Sequence, residues 1–180
     1  MSILKRTAML AMAVLLLAGC QYDTLKEAVS KDIPFNKKAI IHTEKKKNGA
    51  VVLYTTEQKY NDEKVEALAA AYLSGNEKEG WENTGHNHWI YYENKYMMQY
   101  SETFNIYSPE GKLTEKVPVV FGRINSSKVI SVEVSESGEK FRKAVIVKKG
   151  KNRYYYIFGD YKIARGLDKN GKEISRQGKR

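Results

Sequence analysis

The sequence predicts an α+β fold that is mainly antiparallel β, with an N-terminal β-hairpin/helix/strand module followed by a β-meander or sandwich-like module. Three observations carry this. Short segments rich in β-branched and aromatic residues recur along the chain, turn residues such as Asn48-Gly49, Asn94-Lys95 and Asn170-Gly171 separate them, and only two stretches, about 24–31 and 62–73, repeat apolar residues at helical spacing.

The chain begins with two cations, Lys5 and Arg6, before a run over 8–18 that holds no charge and no strongly polar side chain. Such a run is too short to cross ~30 Å of hydrocarbon as a helix, and basic residues in front of it mark the cytoplasmic side. Residues 1–19 therefore have the form of a signal peptide. The run closes on Leu17-Ala18-Gly19-Cys20 rather than on an A-x-A cleavage site, and this resembles the lipobox of bacterial lipoproteins. The resemblance implies that Cys20 receives a diacylglyceryl group, becomes the first residue of the mature protein and tethers it to the outer face of the cytoplasmic membrane. A buried free thiol and an ordinary secretory peptide are the competing readings of Cys20. It is the only cysteine of the 180 residues, so no intramolecular disulfide can form and the body must be held by its core.

The chain carries 31 basic and 21 acidic residues; without Lys5 and Arg6 the balance is 29 against 21, or +8. Fourteen of the basic residues and only Asp160, Asp168 and Glu173 fall in 140–180, a local +11. An exported protein meets anionic envelope polymers and lipid headgroups rather than nucleic acid. Lys148, Lys149 and Lys151, flanking a predicted turn, are the candidate residues for surface anion contact; the alternative is a solvated, solubilising face.

In chain order, Thr24-Leu25-Lys26-Glu27 has the pattern of a capping box for a helix over 24–31, which ends before Ile33-Pro34. The segments 39–43 and 50–56 flank Asn48-Gly49 and read as a hairpin. Asn61-Asp62-Glu63 supplies an N-cap and first-turn acids to a helix over 62–73, with Val65, Leu68, Ala69, Tyr72 and Leu73 on one face that should cover the sheet. Strands are predicted at 81–85, 88–93 and 96–107, then at 128–134, 139–148, 153–158 and 161–167, with 172–175 after a turn at 168–171. Leu113 opens a transition in which Pro118 marks a module boundary. The resulting division is 1–19 signal peptide, 20–37 lipid-anchored linker with a short helix, 38–117 α+β module and 118–180 β-rich module with a basic tail.

Two pairs of segments, 49–54 with Gly80-Trp81 and 121–125 with 167–172, are similar to those of small lipoproteins of Bacillus-like Gram-positive bacteria. The resemblance implies a membrane-tethered, extracytoplasmic, β-rich protein and brings no activity or catalytic residue with it.

The chemistry on offer is sparse. His86 and His88 point to one side of an extended backbone and are the candidate metal pair, with His42, Glu82 or Glu93 as possible completions, although histidine and asparagine are also ordinary turn residues. No G-x-S-x-G elbow, phosphate-binding glycine loop or cofactor motif occurs; Glu77, Glu79 and Glu82 sit in a polar connection and read as solvated. No enzyme and no cofactor is expected. The aromatic stretch 81–107 and Tyr154-Tyr155-Tyr156 read either as core or as a glycan-stacking surface, and strand alternation suggests that one side of the tyrosine triple is the less buried. The function expected is that of a non-catalytic envelope interaction protein, with a wall-polymer, glycan or small-ligand binding protein as the alternative.

Overall fold

The computed structural model describes residues 21–33, 36–85 and 88–178. It is mainly antiparallel β, with thirteen strands and one short helix among the described residues. The helix α1 (Leu25–Lys31) starts at Thr24, whose hydroxyl accepts from the Glu27 N–H at 3.1 Å, and ends at Asp32. The strands are β1 (Lys37–Lys46), β2 (Gly49–Tyr60), β3 (Glu63–Asn76), β4 (Gly80–Asn83), β5 (Trp89–Ile90), β6 (Tyr100–Tyr107), β7 (Leu113–Ile124), β8 (Ser131–Ser135), β9 (Arg142–Lys143), β10 (Val145–Lys149), β11 (Asn152–Phe158), β12 (Ile163–Leu167) and β13 (Glu173–Gln177).

They form three sheets: a first sheet in the order β1-β2-β3-β4 with β5 also pairing β3, a central sheet β10-β11-β7-β6, and an outer sheet β13-β12-β8-β9. The buried side chains stack these into layers. On β2, Ala50, Val52 and Tyr54 face α1 while Val51 and Leu53 face the central sheet. On β7, Val117, Val119 and Phe121 turn to the first sheet and Val120 and Ile124 to the outer one. The order is thus helix, first sheet, central sheet, outer sheet, and both inner sheets are covered on both faces.

That double coverage explains the main departure from the sequence reading. Residues 62–73 are not a helix; 63–73 lie in β3, which pairs with β2 without interruption from Gly49↔Ser74 to Tyr60↔Glu63. A strand buried on both faces reads as a continuous apolar run, which periodicity does not separate from a buried helix. Leu68, Ala70 and Tyr72 enter the core shared with the central sheet, while Ala69, Ala71 and Leu73 pack under α1. The alanines favour helix intrinsically, but here their small size lets α1 sit close to the sheet. Asn61 and Asp62 are not a cap either. Both adopt positive φ, 49° and 66°, as the two central residues of a tight hairpin turn. The residue types that cap helices are also those that tolerate this conformation.

The tyrosine triple is corrected in the same way. Tyr154 and Tyr156 lie in the core against the first sheet and Tyr155 in the core against the outer sheet, with exposures of 3%, 7% and 0%. Neither side is open. The predicted strand 139–148 divides instead at buried Ala144, where the chain passes from β9 in the outer sheet to β10 in the central one. Pro118 lies inside β7, and strands from both sides of it make up the central sheet. Its carbonyl accepts from Gly159 just beyond the end of β11, so the N–H that proline lacks falls where no ladder partner is due.

Candidate functional site

The segment after Cys20 is part of the body. Tyr22 and Trp81 exchange backbone hydrogen bonds of 2.9 and 2.8 Å along the free edge of β4. Leu25, Ala28 and Ile33 are buried against the first sheet, and Asp32 binds Asn83 through a carboxylate that accepts its N–H at 2.7 Å and a carbonyl that accepts its side-chain amide at 3.0 Å. Cys20 itself lies outside the described residues, but only Gln21 separates it from this docked strand edge. The end of the molecule that carries Tyr22 also carries the β1–β2 turn, the β3–β4 turn and the tip of the β6–β7 hairpin: Gly75 donates to the Asn48 carbonyl, and the Asn48 side-chain amide donates to Glu115 at 3.0 Å.

The opposite end holds a cleft of about 590 Å³. Glu66 on β3, Arg123 and Asn125 around the end of β7, and the segment from Tyr91 to Lys95 line it. Arg123 lies 3.8 Å from Glu66 and donates to the Asn152 side chain at 3.0 Å. Asn94 is committed to structure: its side-chain oxygen accepts from the backbone N–H groups of Tyr96 and Met97, and its carbonyl accepts from Asn125. Tyr92 is likewise tied down, its hydroxyl accepting from the Gln99 N–H at 2.6 Å, and burial pushes its ionisation up. Tyr91 is the aromatic group presented at the cleft. Its ring lies 5.4 Å from that of Tyr60, which is 46% exposed, and its hydroxyl donates to Glu93 at 3.0 Å, an interaction that raises the tyrosine's ionisation. Among the described residues, the lining holds no histidine, cysteine, serine or threonine. It offers an aromatic face beside two cations, Arg123 and Lys95, and two carboxylates, Glu66 and Glu93.

The aromatic stretch 81–107 therefore splits. Trp81, Tyr100 and Phe104 are core, Trp89 packs against the core under α1, Tyr91 reaches the cleft, and Tyr107 is exposed at the hairpin tip.

Of the candidate metal residues that are described, His88 and His42 lie on different elements. His86 lies outside the described residues, and His88 is exposed just before β5, which pairs with β3. His42 sits on β1, at the seam with the central sheet. A bulge between Ile40 and His42 turns both Ile41 and His42 toward that sheet. There the His42 Nε2 contacts the Tyr156 hydroxyl at 2.9 Å and Glu44 at 3.0 Å, and its ring stacks on Tyr156 at 4.7 Å. The hydrogen bonds from His42 and Tyr156 hold the Glu44 carboxyl below the usual range. This linkage ties the edge of the first sheet to the central one, and sequence spacing gave no sign of it, because His42 and Tyr156 are 114 residues apart. Among the described residues, no group of three or more His, Cys, Asp or Glu is placed to hold a metal ion. Glu77 pairs with Lys45 at 2.9 Å and Glu79 with the Asn76 side chain at 2.8 Å, while Glu82 is exposed on β4.

Lys148, Lys149 and Lys151 are exposed around the β10–β11 turn, and none of them forms an ion pair among the described residues. Other cations of the basic quarter are used internally. Arg153 donates to the carbonyls of Ser126 and Val129, and Arg165 bonds Glu133 at 2.6 Å while stacking on Phe141 at 3.6 Å.

No protein-family model, curated protein or solved structure matches this chain.

Proposed function

We propose that the protein is a lipid-anchored, non-catalytic envelope protein, held by Cys20 at the outer face of the cytoplasmic membrane, that offers the cleft at its far end to a partner. The observation that carries the reading is the molecule's polarity. Tyr22, next but one to Cys20, lies at one end of the first sheet, and the cleft lies toward the other. β2 runs from Gly49 to Tyr60, so at ~3.4 Å per residue its ends lie ~37 Å apart. A two-chain anchor of diacylglyceryl type is sufficient for stable attachment, and a body docked directly behind it would present Tyr60, Tyr91 and Arg123 away from the bilayer.

The partly exposed Tyr91 ring beside Arg123, Glu66 and Glu93 favours a second, narrower reading, in which the partner is a wall glycan: a sugar ring packs on the aromatic face while the charged groups meet its hydroxyls.

A photo-crosslinking side chain at Tyr91 in intact cells tests both. Covalent capture of one discrete protein or wall fragment at position 91, absent from the same probe at Lys149, is the expected result. Equal or no capture at the two positions would remove the cleft from the proposal. Fractionation of the Cys20→Ala protein tests the anchor: it should leave the membrane or remain unprocessed.

A further inference from the structure

We infer that the tip of the β6–β7 hairpin is a second membrane contact, placing Tyr107 and Leu113 in the headgroup region of the bilayer beside the lipid anchor. The inference rests on the reading of Cys20 as the lipid-bearing residue.

Tyr107 and Leu113 are opposed across the last pair of the hairpin and are 59% and 40% exposed. Between them the chain turns through Ser108-Pro109-Glu110-Gly111-Lys112. Neighbouring apolar residues of the hairpin behave differently: Phe104 and Val117, three or four positions back, are fully core. The apolar character therefore continues past the point where the protein has anything to cover it.

The place of this tip in the fold says what covers it. Glu115, two residues from Leu113, is bonded by Asn48; Asn48 accepts from Gly75; and Gly75 pairs with Trp81, to which Tyr22 is bonded. The tip thus stands at the end of the molecule from which residue 20 departs. Two residues span at most about 7 Å, so a lipid on Cys20 leaves no linker long enough to lift this end from the surface. The other exposed ring on a hairpin turn, Tyr60, belongs to the opposite end and is out of reach. An aromatic ring with a polar hydroxyl next to an aliphatic side chain is the pairing suited to the membrane–water boundary.

The tip itself, 107–113, carries no net charge, although Lys47 of the β1–β2 turn at the same end is exposed. Glu110 and Lys112 offset one another at the tip, and Lys45 beside it is paired with Glu77. Attachment of the tip should therefore persist at salt concentrations that abolish a purely Coulombic attraction.

The test uses the full chain, purified in its processed form and reconstituted into mixed phosphatidylcholine and phosphatidylglycerol vesicles. Glu110→Cys carries an environment-sensitive dye in one sample and Lys59→Cys, on the far end of β2, carries it in another. Blue-shifted emission and quenching by nitroxide-bearing lipids are expected at 110 and not at 59, in low and high salt alike. Adding Tyr107→Ser and Leu113→Ser should return the dye at 110 to the behaviour seen at 59. Water-like emission at both positions, or a signal at 110 unchanged by the two serines, would overturn the tip contact. The mass of residue 20 is read in the same samples: acylated Cys20 with a water-exposed tip overturns this inference alone, whereas unmodified Cys20 overturns the anchoring reading and this inference with it.

Discussion

The Tyr155 hydroxyl, fully buried between the central and outer sheets, donates to the Met98 carbonyl at 2.8 Å. Gly122 makes the contact possible. It pairs with Tyr155 across the β7–β11 ladder, and a Cβ there would collide with the same carbonyl oxygen and lie 2.6 Å from the ring. Tyr155→Phe leaves a buried carbonyl without this donor and is expected to cost about 1–3 kcal/mol. Gly122→Ala must move backbone as well as ring and should cost more. Denaturant unfolding of the two variants checks the order; equal midpoints for wild type and Gly122→Ala would show that the approach is not tight.

The two faces of β3 should answer oppositely to size. Leu68 fills the core toward the central sheet, so Leu68→Ala is expected to lose ~2–5 kcal/mol. Ala71 lies under α1 at 0% exposure, and Ala71→Leu should cost ~1–3 kcal/mol by forcing the helix outward. If residues 62–73 were a surface helix, an alanine on its outer face would accept leucine without loss.

Alkaline pH should unfold the protein steeply. Burial pushes Tyr54, Tyr72 and Tyr156 up to about 12, with Glu44 adding to the effect at Tyr156, and burial also raises Tyr155 well above the ordinary value. A raised folded-state value means that the neutral form is favoured in the native protein. The stability is then fully present below the ordinary tyrosine value near 10 and is lost as pH rises through about 12. Each tyrosine that ionises only on unfolding removes up to ~1.4 kcal/mol per pH unit in that window. Tyrosinate absorbance and circular dichroism should change together in one cooperative step; gradual ionisation with intact β signal would contradict this.

If the exposed lysines of the β10–β11 turn meet anionic envelope material, the contact should be salt-sensitive. Soluble protein should bind anionic vesicles or wall preparations at low salt and release as salt screens the attraction, each cation contributing at most ~1 kcal/mol. Reversal of Lys148, Lys149 and Lys151 to glutamate should abolish retention. Equal retention of both proteins would return these lysines to the role of solvating an edge strand.

Where one signal had one physical meaning, the sequence was readable. Thr24 with Glu27, Asn48-Gly49, and the turns near 150 and 170 placed α1 and several strands within a few residues. The reading failed where one signal had two meanings. Asn61-Asp62 suits both a helix cap and a left-handed hairpin turn, and the Ala-rich run after it suits both a helix and a doubly buried strand. What decides between them is the sheet packed on the far side, contributed by residues such as Val119 and Tyr154 that lie far along the chain. The cleft was partly legible, since Tyr91 and Glu93 belong to the aromatic stretch noticed in the sequence. Arg123 and Glu66 were not, because only the topology brings them together.

The central sheet also sets the tempo of assembly. Its members come from residues 100–124 and 145–158, and its contacts with the first sheet close loops as long as that between His42 and Tyr156. Loops of this length must close before most of the core is gained, which places the protein among slow, high-contact-order folders. Until β11 arrives, the inner face of the β1–β2–β3 ribbon, with Val51, Leu53 and Leu68, meets only the β6–β7 half of the central sheet. A chain truncated before residue 145 should therefore be recovered as aggregate or as protease fragments rather than as a smaller stable body.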